Sequence, residues 1–343
     1  MISRARSRVA SPNPSQVSVS RSISASVTVP LCYTNGIPGE PIPRLFWVDE
    51  VETNEESRHP PPSSLRYPRS STMCRLFAFV APDHSAARRE LGRDGMESLL
   101  SLARLHGDGW GWAGVHEPGQ PPAAHRSARS AIGDAAFEQA IDAECGAAIV
   151  HLRWATAGLP VNDRNAHPFL ADGIAFAHNG SIKPLDQLRS LLSPESVASL
   201  TGTTDSEMYF ALIREKVAEG LSLHEATTRV ASLLRELFPL ASLNALLLDD
   251  EELIVVHASA TSILTEHDLS RLAPLADVLP SEHNEDYFAL RWREGDDGTI
   301  SIGSTGVAGS GWTPLPAESV TAIRLADRAT STLELAAEHA LHA

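Results

Sequence analysis

The order of the predicted elements along the chain indicates an α+β protein. Strand-like runs come first, helical patterns cluster in the middle, and strand-like runs return toward the end. A parallel sheet would instead need strands and helices that alternate regularly. The chain has 343 residues, which allows one large domain or two ordinary ones. We therefore expect strands and helices to segregate into layers.

Apolar, β-branched and aromatic residues mark the first strands. These are CRLFAFVA (74–81), GAAIVHLRWAT (146–156) and GIAFAHNG (173–180). The segment HSAARRELGRDGMESLLSLARL (84–105) has the Ala and Leu spacing of a helix. The third strand ends in an Asn-Gly pair, which predicts a tight turn with a positive φ at Gly180.

The centre of the sequence predicts helices. Residues 184–200 predict one helix or a pair, and Thr204 with Glu207 and Ser222 with Glu225 fit capping boxes that open two more. The later strand predictions are a hairpin over 243–259, GTISIGST (298–305) and SVTAIRLA (319–326). Residues 326–343 are expected to form a C-terminal helix or tail.

The first 72 residues differ in composition from the rest of the chain. Residues 1–30 are rich in Ser and Arg without an acidic residue, as in a transit peptide, and 31–72 contain Pro-rich stretches. Such a segment carries no core of its own. It is interpreted as a disordered leader: a targeting or pro-segment, or upstream sequence from a start codon assigned too early. The domain is expected to span 73–325.

Charge and cysteine content exclude several classes of function. The net charge is −15, and residues 73–343 carry −17 because the first 72 residues are weakly basic. An acidic surface argues against nucleic-acid and membrane partners. Three cysteines without a CxxC pair indicate a reducing, cytoplasmic location. The fourteen histidines lack typical ligand spacing, so neither a metal site nor a cofactor is predicted.

The pair Met73-Cys74 marks the point where the Pro- and Ser-rich composition gives way to an apolar, strand-like run. A cysteine attacks as a thiolate and needs a base nearby. If Met73 is removed, the α-amino group of Cys74, with an ordinary pKa of about 7.7–8.0, supplies that base, which an amide nitrogen cannot do. The alternative is a small buried hydrophobic residue in a first strand.

Three further motifs each have a chemical and a structural interpretation. Arg153 suits a carboxylate, or forms a surface ion pair. Asn179 and Gly180 offer two donors to an oxyanion, or merely form a turn. Asp205 receives a substrate ammonium, or complements a helix dipole.

Taken in order, Cys74, DGWGWA, HLRWAT, NAHPF, AHNG and TDSE resemble the class II glutamine amidotransferase domain, a branch of the N-terminal-nucleophile hydrolases. The resemblance runs from Cys74 to about residue 260, with a looser tail to about 325. It implies a four-layer αββα sandwich with Cys74 at the end of a central strand.

The resemblance also implies roles for individual residues. Cys74 is the nucleophile and, through its amine, the base; Asn179 and Gly180 hold the oxyanion. Substrate binding is assigned to a further set: Arg153 for the α-carboxylate of glutamine, Asp205 for its α-ammonium, and Trp154, Thr156 and His178 in the pocket. Ala157 departs from the pattern, since glucosamine-synthase-like members carry histidine there.

Only a short segment follows the last motif. In this respect the chain resembles stand-alone members of the family, including γ-glutamyl amide hydrolases of ergothioneine-type pathways. The expected function is hydrolysis of glutamine or a γ-glutamyl amide through a Cys74 thioester. The ammonia either passes to a separate synthase subunit or is simply released. The alternative is a non-catalytic module of the same fold that binds glutamine or another amino acid.

Overall fold

Strand β1 (Arg75–Ser85) shows how the sequence separates the layers of the fold. In this computed structural model its side chains alternate between two apolar cores. Phe77 and Phe79 face a helical layer, whereas Leu76 and Val80 face a second sheet. Because both faces of the strand are buried, its sequence is a continuous apolar run rather than an alternating one. The structure describes residues 74–104, 106–155, 160–259, 262, 287–307 and 311–336.

The strands form two antiparallel sheets. The first has the order β11-β9-β10-β1-β4-β2-β3 and the second the order β13-β12-β8-β7-β6-β5. The remaining strands of the first sheet are β2 (Trp110–Val115), β3 (Ala123–Ser127), β4 (Cys145–Leu152), β9 (Leu290–Glu294), β10 (Ile300–Ser304) and β11 (Thr313–Pro314). The strands of the second sheet are β5 (Phe169–Ala171), β6 (Ile174–Asn179), β7 (Asn244–Leu248), β8 (Glu252–His257), β12 (Ser319–Arg324) and β13 (Thr330–Glu334).

Helices cover the outer face of each sheet. The described helices are α1 (Ala87–Ala103), α2 (Ala135–Ile141), α3 (Leu185–Arg189), α4 (Pro194–Ser199), α5 (Asp205–Ala218) and α6 (Leu223–Leu237). Side chains of α1 and α2 pack against the first sheet, and those of α5 and α6 against the second. A third apolar core joins the two sheets. The four-layer αββα sandwich is therefore confirmed.

The capping predictions are confirmed to different degrees. Ser222 and Glu225 form a reciprocal capping box at the start of α6. At the start of α5, Thr204 accepts from the Glu207 N–H, but the Glu207 carboxylate turns away and accepts from Thr201 and Gly202. Glu207 thus fastens the preceding loop instead of completing the box.

Residues 326–343 were expected to form a helix or a tail, and the helix is wrong for the part that the structure describes. Thr330–Glu334 is strand β13, an exposed edge strand paired with β12. The Ala, Glu and Leu content near the terminus is typical of a helix, but threonines in TSTLE favour an extended strand. No helix among the described residues combines the length and apolar character needed to cross a bilayer.

Candidate active site

Four chain segments converge at one end of the sandwich. Arg75 at the start of β1 pairs with Leu152 at the end of β4, so Cys74 lies beside the segment that begins with Arg153. Strand β6 of the facing sheet ends at Asn179, and α5 begins at Asp205. The cavity between these segments is lined by Cys74, Arg153, Trp154, Asn165, His167, His178, Gly180, Thr204, Asp205 and Ser206.

Asn179 contacts the predicted nucleophile directly. The Cys74 N–H donates to Asn179 Oδ1 at 2.9 Å. This contact fixes the orientation of the carboxamide, since only its oxygen accepts. The Nδ2 donor on the other side is buried without a partner among the described residues. An unpaired buried donor costs about 1–3 kcal/mol, so the fold alone does not account for it.

The Cys74 thiol is buried and neutral at rest. Burial raises the pKa of this thiol to about 11, against the opposing effects of the Trp154 carbonyl and the Arg153 and Arg75 guanidinium groups. The S–H lies 4.0 Å from the Trp154 carbonyl oxygen. A thiol with such a raised pKa becomes a nucleophile at neutral pH only when a base takes its proton during the attack.

Two opposite charges line the cavity with the thiol. Arg153 is buried, and its guanidinium donates to the Asp108 and Pro160 carbonyl oxygens at 3.5 Å each, which are long bonds. No carboxylate of the described residues lies within ion-pair distance of Arg153. Asp205 is also buried and accepts from the N–H groups of Ile182 and Ser206. Among the described residues neither charge forms a direct ion pair, although the Asp108 carboxylate acts on Arg153 from a longer distance.

Gly180 is required for a different reason from the one predicted. Its φ is not positive, so the expected turn geometry is wrong. A Cβ at this position would lie 1.8 Å from the Ser242 carbonyl oxygen and 2.6 Å from His178 Nε2. Close backbone packing against Ser242, rather than a left-handed turn, excludes larger residues here.

His178 lines the cavity, but both of its ring nitrogens are engaged within the protein. Nε2 lies 3.0 Å from the Ser242 carbonyl oxygen, which only accepts, so Nε2 carries the proton. Nδ1 then accepts from the Ser206 hydroxyl at 2.9 Å. The Ser242 hydroxyl donates to the Asn179 carbonyl oxygen at 2.8 Å. This network fixes the backbone from His178 to Gly180.

His151 and His167 extend this buried group of imidazoles. His167 Nδ1 lies 3.0 Å from His151 Nε2 and accepts from the His178 backbone N–H at 3.4 Å. Because His167 Nδ1 accepts, His151 Nε2 carries the proton of the pair. Burial lowers the pKa of all three histidines, that of His151 to about 3. The group is therefore neutral in the folded protein.

These histidines are expected to make the protein sensitive to acid. The unfolded chain titrates near pH 6.5, so below that value it binds protons that the folded chain excludes, and stability falls as the pH drops. For His151 the loss is about 2 kcal/mol between pH 6.5 and 5. Urea unfolding at several pH values measures it. His151→Gln should reduce the slope of the unfolding free energy against pH by about one proton. His125→Gln, on exposed β3, should leave that slope unchanged. An equal slope in all three proteins contradicts the assignment.

Sequence reasoning missed Arg75. This buried guanidinium follows the nucleophile, lies 4.0 Å over the Tyr287 ring and donates to the Tyr287 carbonyl oxygen. Its charge lowers the pKa of Cys74. The available signal was an arginine inside an otherwise apolar strand. Thr156 lies outside the described residues, as do Ala157 and the segment 1–72; Trp154 lines the cavity as expected.

Solved structures with the same architecture define the class of fold. A glutamine aminotransferase class-II domain protein from Silicibacter pomeroyi aligns with a TM-score of 0.51 and 18% identity, over 77% of this chain and all of that one. The glutamine phosphoribosylpyrophosphate amidotransferase of B. subtilis gives the same TM-score and identity, over 77% of this chain and 49% of that one. The fold is that of the N-terminal-nucleophile amidotransferases.

Sequence comparison identifies the family. Residues 73–287 match the family described as class-II glutamine amidotransferases. The chain belongs to this family and contains a class II glutamine amidotransferase domain. The match begins at Met73, next to the predicted nucleophile.

Curated relatives are longer proteins. The glutamine–fructose-6-phosphate aminotransferase (isomerizing) of Mesorhizobium japonicum is 32% identical over 163 residues, covering 45% of this chain and 26% of the relative. That of Leifsonia xyli is 32% identical over 198 residues, covering 56% of this chain and 30% of the relative. The chain thus spans less than a third of these relatives.

Proposed function

We propose that the protein hydrolyses the side-chain amide of glutamine, or of a γ-glutamyl amide, through a thioester on Cys74. One observation carries this proposal: a buried thiol, a buried amide donor without a described partner and two opposite charges without a direct ion pair meet around a single cavity. Each alone has a structural explanation, but together they match the chemical groups of a γ-glutamyl substrate.

The two charges suit the α-amino acid end of the substrate. The guanidinium of Arg153 presents a planar fork to an α-carboxylate, which can replace its two long bonds to carbonyl oxygens. Asp205 receives the α-ammonium, while its bonds from Ile182 and Ser206 hold the carboxylate in place. Binding both ends directs the side-chain amide toward the thiol.

The chemistry begins with a proton transfer. In a chain that starts at Cys74, the free α-amine takes the proton from Sγ as the sulfur attacks the amide carbon. The carbonyl oxygen becomes an oxyanion, to which Asn179 Nδ2 and the Gly180 N–H donate. Collapse breaks the C–N bond, and the amine returns the proton to the departing ammonia or amine.

Water completes the cycle. The amine deprotonates a water molecule that attacks the γ-glutamyl thioester, and the same donors stabilise the second oxyanion. Cleavage of the C–S bond releases glutamate and regenerates the thiol. Arg75 places a positive charge beside the sulfur and favours its anionic form. His178, whose ring nitrogens are engaged, positions Asn179 and Gly180 rather than contacting substrate through them.

The fate of the nitrogen distinguishes two versions of this function. In the curated relatives, most of the polypeptide lies outside the part that this chain matches. The released ammonia either passes to a separate synthase subunit or is simply released, as in γ-glutamyl amide hydrolases. Both versions use the same site and produce glutamate.

Glutamate release from a panel of substrates tests this function. The chain beginning at Met73, with the methionine removed, is expected to release glutamate from glutamine or from at least one γ-glutamyl amide. Calorimetry should be run on the same samples. Binding of glutamine without any glutamate release, in a protein whose mass shows a free Cys74 terminus, would contradict hydrolysis and support the non-catalytic binding module.

A further inference from the structure

We propose that His84, His116 and Glu117 form a binding site for a divalent cation of the zinc type. The three side chains lie at the end of the first sheet opposite to Cys74, and their ligand atoms lie within 4.8 Å of one another. The three residues line part of a polar cavity of about 290 Å³. The amidotransferase chemistry uses none of them.

The backbone brings the two histidines together across an intervening strand. His84 is near the end of β1, and His116 directly follows β2; β4 lies between these strands and begins there with Cys145 and Gly146. The pairing of β1 with β4 is irregular between Val80 and Ser85. The two imidazole rings stack with centroids 4.0 Å apart.

Gly146 allows the backbone of His116 to lie close to the start of β4. Its N–H donates to the His116 carbonyl oxygen at 3.1 Å, and a Cβ at this position would lie 3.2 Å from that oxygen. Gly146 also lines the cavity, so it leaves open space where a side chain would project. His84 and His116 are 32 positions apart, which explains why spacing in the sequence does not reveal the pair.

The hydrogen bonds leave one imidazole lone pair and one carboxylate available to a cation. His116 Nδ1 lies 3.3 Å from the Glu144 carbonyl oxygen, which only accepts, so Nδ1 is protonated and Nε2 offers a lone pair. His84 Nε2 lies 3.0 Å from Glu117 Oε1 and 3.0 Å from the His116 carbonyl oxygen, so in this structure Nε2 carries the proton. A cation that binds His84 Nε2 and Glu117 takes the place of this proton, and the imidazole then carries its proton on Nδ1.

The donor set selects the class of cation. Two imidazoles and one carboxylate suit Zn²⁺ and its transition-metal neighbours, whereas Mg²⁺ and Ca²⁺ prefer oxygen ligands. Zinc bonds of about 2.0–2.2 Å require the donor atoms to move slightly closer together, and side chains that are partly exposed can do so. The adjoining cavity provides room for a water ligand.

This site is independent of the proposed amide hydrolysis. Cys74, which directly precedes strand β1, and His84 are ten positions apart, so the two sites lie roughly 30 Å apart. A cation here joins the ends of β1 and β2 and stabilises the sheet. Failure of the metal site would therefore leave the hydrolysis proposal intact, and the reverse also holds.

Zinc titration of the full chain tests the site. All proteins should carry Cys74→Ala, so that the active-site thiol binds no metal. Isothermal calorimetry is expected to show one Zn²⁺ per chain and no binding of Mg²⁺. His84→Ala and His116→Ala should each weaken zinc binding by more than the roughly 10–100-fold loss typical of an outer-shell partner. The matched control His125→Ala, an exposed histidine on β3, should bind as the parent does.

Thermal unfolding supplies a second readout. Excess Zn²⁺ should raise the Tm of the parent and of His125→Ala, but not that of His84→Ala, because only a bound cation stabilises the folded state. Should a variant fail to fold, Glu117→Gln replaces it in both measurements. Equal zinc affinity in the parent and the folded His84 and His116 variants, or no saturable binding at all, would overturn the proposal.

Discussion

Replacing Cys74 by alanine is expected to abolish glutamate release while leaving glutamine binding in place. The variant loses the atom that forms the thioester, and the remaining groups only bind and polarise the amide. Loss of a nucleophile typically lowers kcat by on the order of 10⁴-fold or more. Stopped assays of glutamate formation, with calorimetry for binding, measure both quantities.

Cys145→Ala is the matched control for this prediction. Cys145 is also a buried thiol, but it lies at the opposite end of the sheet, in the core beneath α1 and α2. Burial raises its pKa to about 12 without an opposing cation. The control should retain activity. Residual turnover in Cys74→Ala comparable with that of Cys145→Ala would contradict the nucleophile assignment.

The second large effect is expected for Asn179. Asn179→Ala removes the unpaired Nδ2 donor and should lower kcat by about 10²–10³-fold, with a much smaller change in KM, because the donor acts mainly on the oxyanion. Steady-state kinetics separates the two constants. Asn179→Asp keeps the oxygen that accepts from Cys74 N but replaces the donor by an anion.

The aspartate variant distinguishes a catalytic from a positioning role. If the donor stabilises the oxyanion, Asn179→Asp is at least as impaired as Asn179→Ala. If Asn179 merely holds the Cys74 backbone, the aspartate should recover most of the activity, and the oxyanion assignment would be wrong. Asn244→Ala, which removes bonds to Ala258 and Phe288 beside the site, controls for general destabilisation.

Local patterns predicted most of the layers of the fold. The hairpin of β7 and β8, the helix pair at 184–200 and the box at Ser222 are confirmed because each depends on neighbouring residues. The helix expected in the tail is wrong for Thr330–Glu334, where threonines favour a strand that pairs with β12, and residues 337–343 lie outside the described part of the chain. Gly180 was required, but the approach of Ser242, 62 positions later, is a tertiary contact that a dipeptide does not reveal.

The site was predictable only through the order of its motifs. Cys74, Arg153, Asn179 and Asp205 are far apart in sequence, and each alone favours a structural explanation. Their convergence at one cavity follows from the pairing of β1 with β4 and the stacking of the two sheets. The contributions of Ser206 and Ser242 depend on distances and burial, so no sequence pattern indicated them, whereas Arg75 had only the weak signal of an arginine in an apolar strand.

The identity of the terminal residue provides the most direct test of the account. One preparation of the chain beginning at Met73 should be divided, and one half treated with methionine aminopeptidase; intact mass and glutamate release are then measured on both. We expect activity to rise in proportion to the fraction of chains that begin at Cys74, because only those possess a basic amine beside the thiol. Full activity in chains that retain Met73 would contradict the mechanism.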